Sequence, residues 1–198
     1  YNVLDSNPIK TPMEVKPNLT KDQMPEPGSE EHDEMKDIPY RNLLGSLNYI
    51  SEITRGDIQG AVSVLARFAC NPAMVHWKAL KRILIYLYHS RHRRLVYGRY
   101  RNQFSLEETN CTPIQIYVDA DHGGCMDTGR STSGTIVTFF GDTIHCKAKR
   151  QGKVSNSTAM AEIHALASGS RHHYAYRILA MVLLEFYQNV IKTKTDSQ

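Results

Sequence analysis

Hydrophobic periodicity switches near Thr112-Pro113, and that switch constrains the fold more than any other feature. Upstream, apolar residues recur every three or four positions, the spacing of one helix face. Tyr40, Leu43, Leu44 and Leu47 predict a first helix. Asp57 can cap a second, which carries Ile58, Ala61, Val62, Leu65 and Phe68 on one side. Asn71-Pro72 breaks the chain, and a third helix then buries Trp77, Leu80, Leu84 and Leu87. Its outer side shows Lys78, Lys81 and Arg82, followed by Arg91, His92, Arg93 and Arg94. Those bases either track a phosphate backbone or form a solvated helix face. Leu95-Val96-Tyr97-Gly98 reads as a strand before a polar loop.

Downstream of the switch the period is two. Ile114, Ile116 and Val118 alternate with Gln115, Tyr117 and Asp119, the pattern of a half-buried strand. Residues 135–140 predict a second strand and residues 143–147 a third, joined through Gly141-Asp142 as a type II′ turn. Asn156, Ser157 and Thr158 offer N-caps for a helix with Met160, Ala161, Ile163, Leu166 and Ala167. Gly169-Ser170 is expected to break or kink it before a second helical stretch through Tyr174, Ile178, Val182 and Phe186. Residues 191–195 read as a last strand. The fold class is therefore α+β or α/β, a mixed sheet with helices behind a small helical segment. Many unrelated domains share this element order, so function has to be argued from the site.

Six of the eight prolines and nine acids against four bases fall in residues 1–39, which carry a net −5. That stretch is expected to be a flexible, acidic linker with too little apolar surface to bury. Residues 40–198 hold twenty bases and eleven acids, a net +9 that favours a polyanionic partner. The expected organisation is a linker at 1–39, a helical segment at 40–110 and a strand-rich domain at 111–198. No run of about 18 apolar residues is present, so no membrane span is expected. The opening Tyr1-Asn2-Val3-Leu4-Asp5 lacks the pattern of a secretory leader, and its first residue is not Met, which reads as a fragment or processed product. Cys70, Cys111, Cys125 and Cys146 fit no zinc spacing and read as reduced thiols of an intracellular protein, although two disulfides are arithmetically possible.

Three acids occupy informative positions. Asp119 ends the first strand, Glu162 lies in the first turns of the helix, and Asp196 follows the last expected strand. If that strand ran parallel to the first and beside it, Asp119 and Asp196 would emerge at one end, with Glu162 brought between them by the packed helix. Carboxylates so gathered repel one another, and a divalent cation removes the conflict. Mg²⁺, or Mn²⁺, suits a few acids plus a phosphate, and a pair of ions can activate water and stabilise the leaving oxygen of a phosphodiester. The alternative for each acid is a solvated surface carboxylate. Lys147, Lys149, Arg150 and Lys153, just before the Glu162 helix, are candidates for nucleic-acid contact or else a solvated charge run. The pairs His172-His173 and His89/His92 lack a second, correctly spaced ligand pair and read as surface histidines.

The motifs around these residues are ordered and specific. The segment Tyr40-Arg41-Asn42-Leu43-Leu44-Gly45-Ser46-Leu47-Asn48-Tyr49 resembles the "YR.LLGSL.Y" that follows the polymerase palm in copia-type LTR retrotransposon reverse transcriptases. Thr54-Arg55-Gly56-Asp57-Ile58 resembles that family's "TRPDI", with Gly56 for Pro. Asp119-Ala120-Asp121 with Arg130-Ser131-Thr132-Ser133-Gly134 resembles "DADWAGD…RRSTSG". Lys149-Arg150-Gln151 resembles "KKQ", residues 157–166 resemble "SSTEAEYMAL", and Thr195-Asp196-Ser197 resembles "TDS".

The resemblance implies a ribonuclease H-like fold from about residue 111 and hydrolysis of the RNA strand of an RNA–DNA hybrid. It implies Asp119, Glu162 and Asp196 as the catalytic, metal-binding acids, with Asp121 a nearby decoy. It also implies association with the rest of a reverse transcriptase in a polyprotein, and an intracellular location in a cytoplasmic retroelement particle or the nucleus. His122, Cys146, Met160 and Ile163 depart from the family's Trp, Trp, Glu and Tyr. The polymerase "Y.DD" motif is absent, and the elements expected after Asp196 are not in this sequence. The competing expectation is an inactive retroelement remnant that at most binds nucleic acid. An integrase core of related fold is disfavoured by the reverse-transcriptase-like segment directly before the domain.

Overall fold

A computed structural model describes residues 3, 5–15, 17–98 and 114–195, with side chains to Glu185. Its main elements are α1 (Glu30–Lys36), α2 (Tyr40–Ile53), α3 (Gln59–Leu65), α4 (Met74–His89), β1 (Ile114–Asp121), β2 (Thr132–Phe139), β3 (Asp142–Arg150) and α5 (Thr158–Thr195).

The first three expected helices form with their apolar faces inward. Tyr40, Leu43 and Leu47 of α2 meet Ile58, Val62 and Leu65, and Leu80, Ile83 and Tyr86 of α4 close the cluster. Trp77 belongs to this core, while Leu84 and Leu87 sit at its margin. The Tyr40 phenol donates to the Leu65 carbonyl at 2.9 Å, satisfying its one buried polar atom. Asp57 does not cap α3. It lies in a 3-10 turn, Gly56–Ile58, and both its oxygens are claimed by the Arg55 guanidinium at 2.9 and 2.8 Å.

The stretch 1–39 was expected to be a flexible linker, yet several of its described residues make contacts along this helical unit. Met35 is buried in the core and Leu19 and Ile38 pack against it. The Pro25 carbonyl accepts from Asn71 at 2.9 Å, and the Met74 amide donates to Glu31 at 2.8 Å. A few well-spaced apolar residues are enough to seat a stretch whose average composition is polar.

The strands form one antiparallel sheet in the order β1-β2-β3. A mixed sheet with a parallel last strand was expected; among the described residues no parallel pair occurs. Residues 191–195, read as that strand, instead continue α5, a helix of 38 residues. Gly169-Ser170 does not break it, because Gly169 is seated against β1: a Cβ there would overlap the Val118 side chain. Nothing from Thr158 to Thr195 is a proline, so no residue forces an end. The β2–β3 loop is Phe140-Gly141, with φ +48° and +82°, one residue earlier than expected. Two positive φ values make it type I′, which matches the strand twist. Leu95-Val96-Tyr97 forms no strand and is exposed.

Register sorts the sheet into two faces. Ile116, Val118, Val137 and Thr135 lie on the face that α5 covers, with His145 and Lys147 paired beside them. Tyr117, Asp119, Gly134 and Cys146 occupy the other, which meets the helical unit at Gly56.

Candidate functional site

Helix α5 docks through small residues. Ala161 and Ala165 are fully buried, Gly169 lies against Val118, and Ala180 packs with Ile114 and Val137. The order of these contacts runs α5 antiparallel to β1. Its N-terminal turns, with Glu162, therefore lie at the end of the sheet where β1 finishes in Asp119-Ala120-Asp121.

A buried polar node fixes that end. Gln151 donates its side-chain amide to Ser133 Oγ and to the Ala161 carbonyl, each at 2.9 Å. Its Oε1 accepts from Ser155 Oγ at 3.0 Å, and its backbone amide donates to the Ser131 carbonyl at 2.8 Å. His122 bonds the Ser155 carbonyl at 3.1 Å, tying the loop after β1 to the same node. Ser157 Oγ accepts from the Met160 amide at 3.2 Å and caps α5. Gln151 thus positions the turn that bears Glu162. Sequence reasoning missed this role; the signal was a lone amide side chain closing a basic strand just before an Asn/Ser/Thr-rich turn.

Asp119 and Glu162 are both exposed, at one end of the sheet. By strand alternation Asp119 points from the face opposite α5. Asp121 is folded onto Gly124, where a Cβ would collide with its carboxylate. Asp196 lies outside the described residues, but Thr195 before it ends the same helix as Glu162, roughly 50 Å further along at 1.5 Å per residue. Two of the three expected acids are therefore brought to one end. Among the described residues no group of three His, Cys, Asp or Glu stands close enough to hold a metal.

The four expected basic residues separate. Lys147 and Lys149 project from β3 on the α5 face, and Lys153 follows in the connecting turn. Together with Arg171 and His172 of α5 they line two adjoining pockets of about 330 and 440 Å³. Arg150 borders the first pocket but is half-buried, and its guanidinium reaches Cys125 Sγ at 3.6 Å. Burial would push the Cys125 thiol up, but hydrogen bonds from Thr128 and Arg150 outweigh it and hold the thiol below its ordinary value. His172 is not a plain surface residue: its ring lies 5.2 Å from that of His145. Burial, then His172 and Lys147, hold His145 below the usual histidine range, and its Nε2 is buried without a partner.

The Arg55–Asp57 pair, by contrast, is structural. Asp57 also accepts from the Tyr86 hydroxyl at 2.7 Å, and Arg55 donates to Ser90 Oγ at 2.7 Å. Burial opposes the Asp57 charge, yet the Arg55 and Tyr86 bonds hold the carboxyl below its ordinary value.

Several relatives of this chain are retrovirus-related Pol polyproteins of transposons. The retrovirus-related Pol polyprotein from transposon TNT 1-94 of Nicotiana tabacum is 33% identical over 199 residues, which is 100% of this chain and 14% of the polyprotein. That from transposon RE2 of Arabidopsis thaliana is 33% identical over 172 residues, 85% of this chain and 10% of the polyprotein. Secreted RxLR effector protein 161 of Plasmopara viticola is 34% identical over 139 residues, 69% of this chain and 90% of that protein. Over its whole length the chain is similar to a segment of retrotransposon Pol polyproteins. It spans only 14% and 10% of these two polyproteins. No family model and no solved structure matches it. Among the described residues no helix is long and apolar enough to cross a membrane.

Within this family two departures from the expected motifs meet in space. Gly56, which stands where "TRPDI" has Pro, faces Cys146, which stands where the family has Trp before its basic run. A Cβ at Gly56 would come within 2.7 Å of Cys146 Sγ. The helical unit and the sheet thus approach at a point where both carry small side chains.

Proposed function

We propose that this retroelement-derived chain is a metal-dependent ribonuclease H that hydrolyses the RNA strand of an RNA–DNA hybrid. The observation that carries the reading is the antiparallel run of α5 along β1, which sets the Glu162 turn at the end of the sheet where Asp119 lies. Mg²⁺ takes oxygen ligands, keeps several waters, and is commonly held by one or two carboxylates plus substrate phosphate. Asp119 and Glu162 fit that requirement in donor type, and both are exposed. Asp196, the third acid of the proposed set, lies outside the described residues, so the reading rests on Asp119 and Glu162. When bound, the metal, as one ion or two and with Mn²⁺ as a substitute, would supply Lewis-acid activation of water and stabilisation of the leaving oxygen.

The chain's own groups do the rest. The Gln151 node holds the Glu162 turn, and Lys147, Lys149 and Lys153 face the substrate backbone, with Arg150 beside them. In the intact polyprotein, the helical unit would join this end to the remainder of the reverse transcriptase, inside the cell. Purified chain is expected to cut the RNA of a labelled hybrid with Mg²⁺ and not with Ca²⁺, and Asp119→Asn to abolish cutting. Cutting that persists in Asp119→Asn would sink the site.

A second reading is an inactive remnant that at most binds nucleic acid. What supports it is that a relative not named as a polyprotein, the secreted RxLR effector, is matched over 90% of its length, so this segment also occurs outside a full Pol polyprotein. Hybrid binding by wild-type chain without cutting, with Mg²⁺ present, selects it.

A further inference from the structure

The groove between β3 and α5 concentrates uncompensated positive charge. Lys147 and Lys149 enter it from the strand, Lys153 from the turn and Arg171 from the helix. Among the described residues none of these four pairs with a carboxylate. No Asp or Glu lines either pocket, while Ser133 and Ser168 add hydroxyl donors. Cations left together without counter-charges repel one another, and a bound polyanion relieves that repulsion. No Trp, Tyr or Phe lines the groove, and its only aromatic lining is the His164 and His172 rings, so phosphate-binding donors dominate it. Its donors suit phosphate oxygens, which position a nucleic acid without reading its sequence.

We propose that this groove is a metal-independent binding site for the phosphodiester backbone of nucleic acid, closed from the helix side by Arg171. The identity of the ligand rests on the nucleic-acid reading above; the site itself rests on the groove. Asp119 lies on the opposite face of the sheet. Gripping the backbone and cutting it are therefore separable here. Arg171 is a binding residue that spacing on the sequence did not join to Lys147 and Lys149, because the tertiary crossing of α5 creates the neighbourhood.

The test is fluorescence anisotropy of a labelled RNA–DNA hybrid with the full chain in EDTA, across a salt series. Wild type is expected to bind. Arg171→Gln is expected to weaken binding about fivefold to tenfold and to lower the salt slope by about one, the loss of one phosphate contact. Arg171→Lys should retain most of the affinity. Arg171 is exposed, so the variant fold should survive, checked by far-UV circular dichroism. Unchanged affinity and slope in both Arg171→Gln and Lys149→Gln would overturn the proposal, as would binding that requires Mg²⁺. Inorganic phosphate competing as well as unlabelled hybrid at matched ionic strength would also overturn it, marking a free-phosphate site. Wild-type chain that binds in EDTA but never cuts with Mg²⁺ supports this inference while removing the nuclease reading.

Discussion

The helical unit and the sheet with α5 use their residues in opposite ways. In the first, Ile58, Leu65, Leu80 and Ile83 are fully buried, and its Arg55 charge is locked to Asp57 and Ser90. In the second, the apolar cluster is small, Ile114, Val137 and Ala180. Ile178, Leu179, Val182 and Leu183 of α5 remain about half exposed, and among the described residues the cations of its groove pair with no carboxylate. At roughly 57 Å, a helix of 38 residues is about twice as long as the strand of eight residues, roughly 26 Å, that it crosses. The contrast separates a region organised for stability from one organised around exposed charge.

The largest effect that could break this comparison is on catalysis. Asp119→Asn and Glu162→Gln are each expected to reduce hybrid cutting to background while leaving the unfolding midpoint unchanged. A midpoint shift as large as that of a core variant would place these acids in the structural class. Next, Leu80→Ala should cost about 2–5 kcal/mol in denaturant unfolding, the usual range for a fully buried leucine. A cost below 1 kcal/mol would mean the helical core is not the stable half.

Gly169→Ala should cost about 1–3 kcal/mol by overpacking against Val118, with partial rescue by Val118→Ala. No rescue would show that α5 does not cross β1 there. Asp57→Asn should cost about 1–2 kcal/mol; the loss is moderated because its side chain is 37% exposed. Measuring Asp57→Asn in the Tyr86→Phe background would apportion the network.

The smallest effect is with pH. Burial holds both His76 and His145 below the ordinary histidine value. The unfolded chain therefore binds protons first as pH falls below about 6.5. Stability from these residues is present above that value and declines as pH drops through their folded values. His145→Gln should flatten part of that decline, as read from unfolding midpoints between pH 7 and pH 5. An unaltered profile would assign the acid sensitivity to His76.

Much of the fold was legible because it depends on local periodicity. The apolar spacing of Tyr40, Leu43 and Leu47 sets α2 whatever its neighbours are, and alternation from Ile114 to Val118 sets β1. The hairpin was legible to within one residue, since turn position depends on register as well as on glycine. Residues 191–195 were misread as a strand because a short apolar run carries no decisive period. Gly169 was misread as a breaker because its role, close approach to Val118, exists only across the packed interface.

For the site, side-chain chemistry was readable and placement was not. The sequence by itself determined which residues carry charge, where Asp119 and Glu162 fall on their elements, and the motifs that tie the chain to retrotransposon Pol proteins. Only the tertiary structure decided that α5 runs antiparallel to β1, that Gln151 anchors the Glu162 turn, and that Arg171 joins Lys147 and Lys149. Local pattern fixes a residue's face through one element's geometry. Which faces meet depends on non-local packing, and no single stretch of sequence encodes that.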